Sequence, residues 1–229
     1  MDVTPKISRV AALIAAPARA AMLNALMDGH ARAATDLALA GGVSLQTASG
    51  HLALLKEAGL VAVARRGRWR RYRLAGPAVA EALEALRALS VQAVQPAWLP
   101  TLRSEPLRLA RTCYDHLAGR LGVALADAMV RRRYLEAAGR EFRLTPSGER
   151  FFSRIGVSVE QARAQRRRFA PQCLDWSERR RHLAGSLGAA LAARCFEMGW
   201  ISGTLQSRAV TVTEKGRFWL EHTFSLSFP

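Results

Sequence analysis

Cysteine is scarce: Cys113, Cys173 and Cys195 are the only three in 229 residues. A small, odd number cannot build a disulfide framework, so a reducing compartment is expected. No apolar run approaches the ~18 residues of a membrane span. The amino terminus also lacks a charged-then-apolar leader. These absences predict a cytoplasmic protein of a bacterium-like cell, with no membrane partner. Catalytic signatures are missing as well. There is no Gly-rich phosphate loop, no Gly-x-Ser-x-Gly elbow and no His-Glu-x-x-His. The chain is therefore read as a non-enzyme, and its residues assign no cofactor. Negative charge is short too, with 18 Asp+Glu against 34 Lys+Arg and a formal balance of +16. Such a surplus favours anionic partners and says nothing about fold.

What is present begins with punctuation. Ala34 to Ala40 reads as a short helix broken by Gly41-Gly42, as happens when a turn must follow at once. Ser44 stands where an N-cap belongs, and a second helix is expected from Leu45 to Ala58, stopped by Gly59. Then come Leu60-Val61-Ala62-Val63, a turn around Gly67, and Trp69-Arg70-Arg71-Tyr72-Arg73-Leu74. This is the pattern of a two-stranded ribbon. Short helix, tight turn, second helix and basic ribbon form a unit that inserts one helix into the major groove.

The residue chemistry fits duplex DNA as partner. Gln46 offers a bidentate amide to adenine, while Thr47 and Ser49 can bond to bases or phosphates. Ser44 and His51 complete the face, although His51 fits a helix-packing role equally well. Arg65, Arg66, Arg68 and Arg70 would meet the backbone or enter the minor groove. Leu52 and Leu55 are expected in the core, and Trp69 and Tyr72 should pin the ribbon to it.

The run Val43-Ser-Leu-Gln-Thr-Ala-Ser-Gly-His-Leu-Ala-Leu-Leu-Lys-Glu-Ala-Gly-Leu-Val61 resembles the recognition helix of ArsR-type repressors. Ala16-Pro17-Ala18-Arg19 and the Arg-Gly-Arg…Tyr-Arg-Leu ribbon resemble that family's start and wing. The resemblance spans about the first ninety residues. It implies a homodimeric repressor of promoters, with the first and last helices of the domain forming the dimer interface. Gly50 departs from the pattern, for the family often has a basic or polar residue there. Family members that sense metals place thiolates on the first helix of the motif, or His and carboxylates on the last helix. Ala33 to Ala38 contains no cysteine and Pro77 to Ser90 no histidine, so no metal ligand is assigned.

The predicted fold class is mainly α with small β-hairpins. A winged helix-turn-helix domain, residues 1–95, precedes a helical domain, residues 100–229, built from two winged-helix-like repeats. Within the first domain, Pro77 should open a helix with Val79, Leu83, Leu86 and Leu89 on one stripe. Glu81, Glu84 and Arg87 belong to its other face.

The repeats span about 112–156 and 178–224. His116-Leu-Ala-Gly-Arg-Leu-Gly-Val-Ala-Leu-Ala126 differs from His182-Leu-Ala-Gly-Ser-Leu-Gly-Ala-Ala-Leu-Ala192 at two positions. Each copy continues through a short strand and a Thr-x-x-Gly turn, at Thr145 and Thr213, into another helix. A repeat of this size marks a unit that needs a neighbour to bury its face, and packing about a pseudo-two-fold axis is expected.

A ligand site between the copies would draw on Cys113, Tyr114, His116, Cys173, Asp175, Trp176 and His182. Cys113 and His116, three apart, are read as one face of a helix. A basic helix from Val159 to Phe169, carrying Arg163 to Arg168, is expected to be a solvated face or an extension of the phosphate footprint. Arg131-Arg132-Arg133 has the same two readings. The leading expectation is a DNA-binding repressor modulated by a small effector. The alternatives are a cysteine- or metal-dependent enzyme in the second half, and a non-specific architectural DNA binder.

Overall fold

The computed structural model describes residues 7–66, 69–93, 105–203 and 207–229. The chain divides into two compact units, Met1–Ala80 and Glu81–Pro229. The boundary falls inside one helix, between Ala80 and Glu81.

In the first unit, α1 (Ile7–Ala15) and α2 (Pro17–Ala25) precede a two-residue strand, β1 (Arg32–Ala33). Then follow α3 (Ala34–Gly41), α4 (Leu45–Glu57), β2 (Val61–Arg66) and β3 (Trp69–Leu74). The turn between α3 and α4 needs Gly42, which sits at φ +62°. Ser44 caps α4 by accepting a 3.1 Å hydrogen bond from the Thr47 amide. Gly59, at φ +70°, ends it, and the Leu60 amide returns to the Leu55 carbonyl at 2.9 Å. That six-to-one closure satisfies a carbonyl the helix would otherwise leave open. Met22, Leu23, Leu26, Leu37, Leu52 and Leu55 form the buried centre. Strand β1 pairs with β3, Arg32 opposite Tyr72, giving a three-stranded sheet in the order β1-β3-β2. Two residues without periodicity left this third strand unpredicted.

Helix α5 (Pro77–Ala93) crosses the boundary. Its expected faces are partly exchanged. Leu83 is buried, but Leu86 and Leu89 are 46% and 59% exposed, and Glu84 is only 1% exposed. Glu84 is not solvated because Arg111, itself fully buried, lies 3.6 Å from its carboxylate. Arg87 and Arg208 flank the same carboxylate at 3.4 and 3.9 Å. A buried guanidinium requires such partners.

The rest of the second unit is written twice. After α6 (Glu105–Leu109), the first copy runs β4 (Arg111–Cys113), β5 (His116–Ala118), α7 (Gly119–Arg131), β6 (Leu135–Ala138), β7 (Glu141–Leu144) and α8 (Pro146–Arg154). A short α9 (Val159–Arg163) leads to the second copy: β8 (Gln172–Leu174), β9 (Arg181–Leu183), α10 (Gly185–Glu197), β10 (Ile201–Gly203), β11 (Val210–Val212) and α11 (Glu214–Phe224). Each copy therefore opens with a hairpin whose second strand carries the start of its His-Leu-Ala-Gly string, in β5 and β9.

The copies interlock reciprocally. Helix α7 packs on β9 and α10 on β5. Phe142 on β7 donates its amide to Ala170, just ahead of β8; Val210 on β11 donates to Ala110, just ahead of β4, at 3.0 Å. Such exchange is what an approximate two-fold relation produces. The Thr-x-x-Gly strings have one explanation in both copies. Thr145 and Thr213 cap α8 and α11 by accepting from the Gly148 and Gly216 amides, each at 3.0 Å. A Cβ at either glycine would run into the Tyr134 or Trp200 carbonyl. Tyr134 stacks on Phe151 and Trp200 on Trp219, with ring centroids 4.6 and 3.9 Å apart.

The expected basic helix to Phe169 stops at Arg163. Its arginines lie mostly at the surface, as a solvated face would, and only Arg167 is half-buried. Arg163 pairs with Glu149, Arg167 with Asp115 and Arg168 with Glu141. Arg132 reaches the Ser225 hydroxyl at 3.5 Å, within the same unit.

Candidate nucleic-acid interface and a buried donor cluster

Helix α4 presents its polar residues outward. Gln46, Thr47 and Ser49 are exposed, whereas Ala48, Leu52 and Leu55 are buried. The split follows the helical period, since apolar residues three and four apart share the inner face. Among the described residues, the Gln46 amide makes no hydrogen bond, so both its donor and acceptor remain available. Ser44 and Ser49 are more committed. The Ser44 hydroxyl holds the cap and lies 2.9 Å from the Thr47 hydroxyl, while Ser49 donates to the Leu45 carbonyl at 2.9 Å. His51 is half-buried, with Nδ1 3.4 Å from the Arg19 guanidinium. That contact joins α4 to α2.

The ribbon pairs in register from Val61↔Leu74 to Arg66↔Trp69. Arg70, Arg71 and Arg73 are exposed, and among the described residues none forms an ion pair with a carboxylate. The Arg71 guanidinium donates to the Ala31 carbonyl at 3.1 Å and that of Arg73 to the Leu74 carbonyl at 3.3 Å. Tyr72 is half-buried. Arg68 lies outside the described residues, as do the side chains of Arg65, Arg66 and Trp69.

The second unit gathers four of the seven ligand candidates. Cys113 and His116 face each other across the β4-β5 hairpin, and Cys173 and His182 across β8-β9. The helix expected at Cys113–His116 is a hairpin because Tyr114, at φ +61°, turns the chain. One donor atom from each of Cys113, His116, Cys173 and His182 lies within 4.8 Å of the others. The imidazoles stack, centroids 5.1 Å apart. Gly122 and Gly188 allow the approach, each lying against the other copy's histidine: a Cβ at Gly188 would come 3.2 Å from the His116 Cβ.

Asp175 and Trp176 are supports rather than members. Asp175 receives Arg111 at 2.9 Å and the Gly119 amide at 2.6 Å, and it caps its own turn through Ser177 and Glu178. The Arg111 guanidinium lies over the Trp176 ring, 4.5 Å from its centroid. Tyr114 stays in the turn and does not join the cluster.

Electrostatically, the two rings differ. Burial would lower His116, but the Cys113 sulfur and the Asp115 carboxylate raise it to about 9. Burial and the charge of His116 hold His182 well below its ordinary value. The Cys173 contact, then burial, push the Cys113 thiol well up. For Asp175, burial would raise the carboxyl, yet Arg111 and His182 depress it far below the usual range.

The sequence signal for this cluster was a cysteine ahead of each His-Leu-Ala-Gly string, three residues before His116 and nine before His182. Unequal spacing concealed the equivalence, since the second hairpin carries a longer turn.

An exposed polar helix beside a free arginine ribbon, on a helix-turn-helix scaffold, defines a winged helix-turn-helix transcriptional regulator. The chain is 41% identical over 217 residues to the HTH-type transcriptional regulator YdfF of Bacillus subtilis (strain 168), covering 95% of this chain and 96% of that protein. It belongs to the HTH-type transcriptional regulators. No family model matches it. Among solved structures, the homodimeric winged helix-turn-helix DNA-binding domain of Mb0332 from Mycobacterium bovis, described as a possible ArsR-family regulator, is 30% identical. That match covers 41% of this chain and 93% of the fragment, with a TM-score of 0.35. The cadmium sensor CMTR of Mycobacterium tuberculosis is 36% identical over 35% of this chain and 82% of its own, with a TM-score of 0.31.

Proposed function

We propose that this regulator is a homodimeric repressor of the ArsR type. Helix α4 would read operator bases through Gln46, Thr47 and Ser49, and Arg70 with its neighbours on the ribbon would hold the flanking phosphates. The observation that carries the reading is the coincidence, on one unit, of an outward polar helix face and surface guanidiniums that no carboxylate among the described residues engages. Phosphate neutralisation supplies affinity, and base edges supply discrimination.

Dimerisation is supported by unspent apolar surface. Helix α1 has the sequence Ile-Ser-Arg-Val-Ala-Ala-Leu-Ile-Ala and not one buried residue. Leu86 and Leu89 of α5 are exposed as well. Two-fold pairing would place two recognition helices on successive turns of one DNA face. The second unit would act as a cytoplasmic sensor rather than a catalyst, shifting affinity through a small effector. Such an effector must bind two DNA-affinity states unequally, since equal binding shifts nothing.

Footprinting of the full chain on promoter DNA tests the reading. A discrete protected palindrome is expected; uniform coating would instead identify an architectural binder. Gln46→Ala should cut discrimination at one base pair by about 1–3 kcal/mol. Equal weakening on every operator variant would remove Gln46 from base readout.

A further inference from the structure

We propose that Cys113, His116, Cys173 and His182 ligate a single zinc-class divalent cation across the junction of the two copies. The proposal does not depend on the repressor reading. Its first support is the donor set. Two sulfurs and two imidazole nitrogens lie within 4.8 Å of one another. Tetrahedral zinc, with Zn–S near 2.3 Å and Zn–N near 2.0–2.1 Å, places its ligand atoms about 3.3–3.8 Å apart. The cluster is thus short of that geometry by about an ångström at its widest, within the range of side-chain adjustment. Thiolate and imidazole donors select zinc and similar ions over magnesium or calcium.

The second support is independent of spacing. All four ring nitrogens of His116 and His182 are buried and have no hydrogen-bond partner. Buried polar atoms are normally satisfied, and an orphan signals a missing partner. Here two complete rings are orphaned, face to face, beside two sulfurs. A cation satisfies one nitrogen of each ring at once.

The surroundings provide for the other nitrogen. His116 Nδ1 lies 3.5 Å from Asp115, and His182 Nδ1 lies 3.9 Å from Asp175. Each carboxylate is itself held by a guanidinium, Arg167 and Arg111 respectively. A ring that gives Nδ1–H to such a carboxylate presents Nε2 to the metal, the arrangement that fixes ligating histidines. Binding would release the two thiol protons to solvent, since the thiolate is the ligand. Four protein donors leave no open position, so the ion would fasten the hairpins of the two copies together rather than catalyse.

Cobalt(II) titration of the reduced full-length chain is the test, with zinc content of the purified protein measured by mass spectrometry. We expect about one equivalent per chain, with the intense visible bands and thiolate charge transfer of a tetrahedral S2N2 site. Cys113→Ser and His182→Gln should each abolish the charge-transfer and tetrahedral signature or reduce cobalt affinity at least tenfold. Cys195→Ser, which removes the cysteine outside the cluster, should leave both unchanged. If Cys113→Ser fails to fold, Cys173→Ser supplies the same test from the half-buried donor, and zinc protection of Cys113 and Cys173 from alkylation reads the site in the unaltered chain. No stoichiometric binding in reduced protein, or an undiminished spectrum in the cluster variants, would overturn the proposal. So would an unprotected Cys113 at saturating zinc.

Discussion

The two units use arginine in opposite ways. In the first, Arg70, Arg71 and Arg73 stand at the surface, with no carboxylate among the described residues to hold them. In the second, Arg111 is buried between Glu84 and Asp175 and Arg167 is held by Asp115, while Arg163 and Arg168 pair with Glu149 and Glu141 at the surface. One surplus of positive charge thus divides into a part left for an outside anion and a part consumed by the fold. Composition alone does not separate them. A basic run is a binding surface only where the structure withholds internal acids.

The largest expected effect comes from the buried side of that contrast. Arg111→Met strands two carboxylates in a closed environment and should destabilise the second unit by about 3–5 kcal/mol. Urea unfolding followed by tryptophan fluorescence reads this, because Trp176, Trp200 and Trp219 all lie in that unit. The sign of the acid dependence adds a second readout. Asp175 is held below the ordinary carboxylate range, so its contribution is complete above about pH 4 and is lost as pH falls further. In Arg111→Met the depression of Asp175 shrinks, so less stability should be lost as pH falls through that range. An unchanged urea midpoint would mean that the guanidinium is not what holds the two acids.

The caps give an intermediate effect in both units. Ser44→Ala should cost about 1 kcal/mol through the freed Thr47 amide. Thr213→Val should cost as much or more, because the Thr213 hydroxyl also donates to the Gly199 carbonyl at 2.7 Å. Equal unfolding midpoints for parent and Ser44→Ala would place the α3-α4 turn under some other control. The smallest effect belongs to the surface side. Arg70→Ala should leave stability unchanged and flatten the salt dependence of DNA binding by roughly one unit of slope. Were the slope unaltered, Arg70 would drop out of the footprint.

Legibility followed the range of the interactions. The α3-α4 turn, the Ser44 cap, the Gly59 stop and the ribbon were readable because each is decided by neighbours a few residues away. The Thr-x-x-Gly strings and the His-Leu-Ala-Gly strings announced a duplication for the same reason. Errors arose where a spacing fits two local structures. Cys-x-x-His suits one helix face and also the two ends of a tight hairpin, and only the turn at Tyr114 distinguishes them. The burial of Glu84 is not legible locally, because its partner, Arg111, lies 27 positions further along. The basic run after Val159 has carboxylate partners scattered from Asp115 to Glu149, so no window of sequence contains them.

The amino-acid order by itself determined the regulator's recognition element, since helix period, cap and turn are short-range properties. It also determined that the second half is written twice. Tertiary structure alone decided what the copies make of each other. Their reciprocal packing brings His116 to His182 and Cys113 to Cys173 from hairpins some sixty residues apart. Such a meeting depends on how two faces bury against one another, which local pattern does not encode.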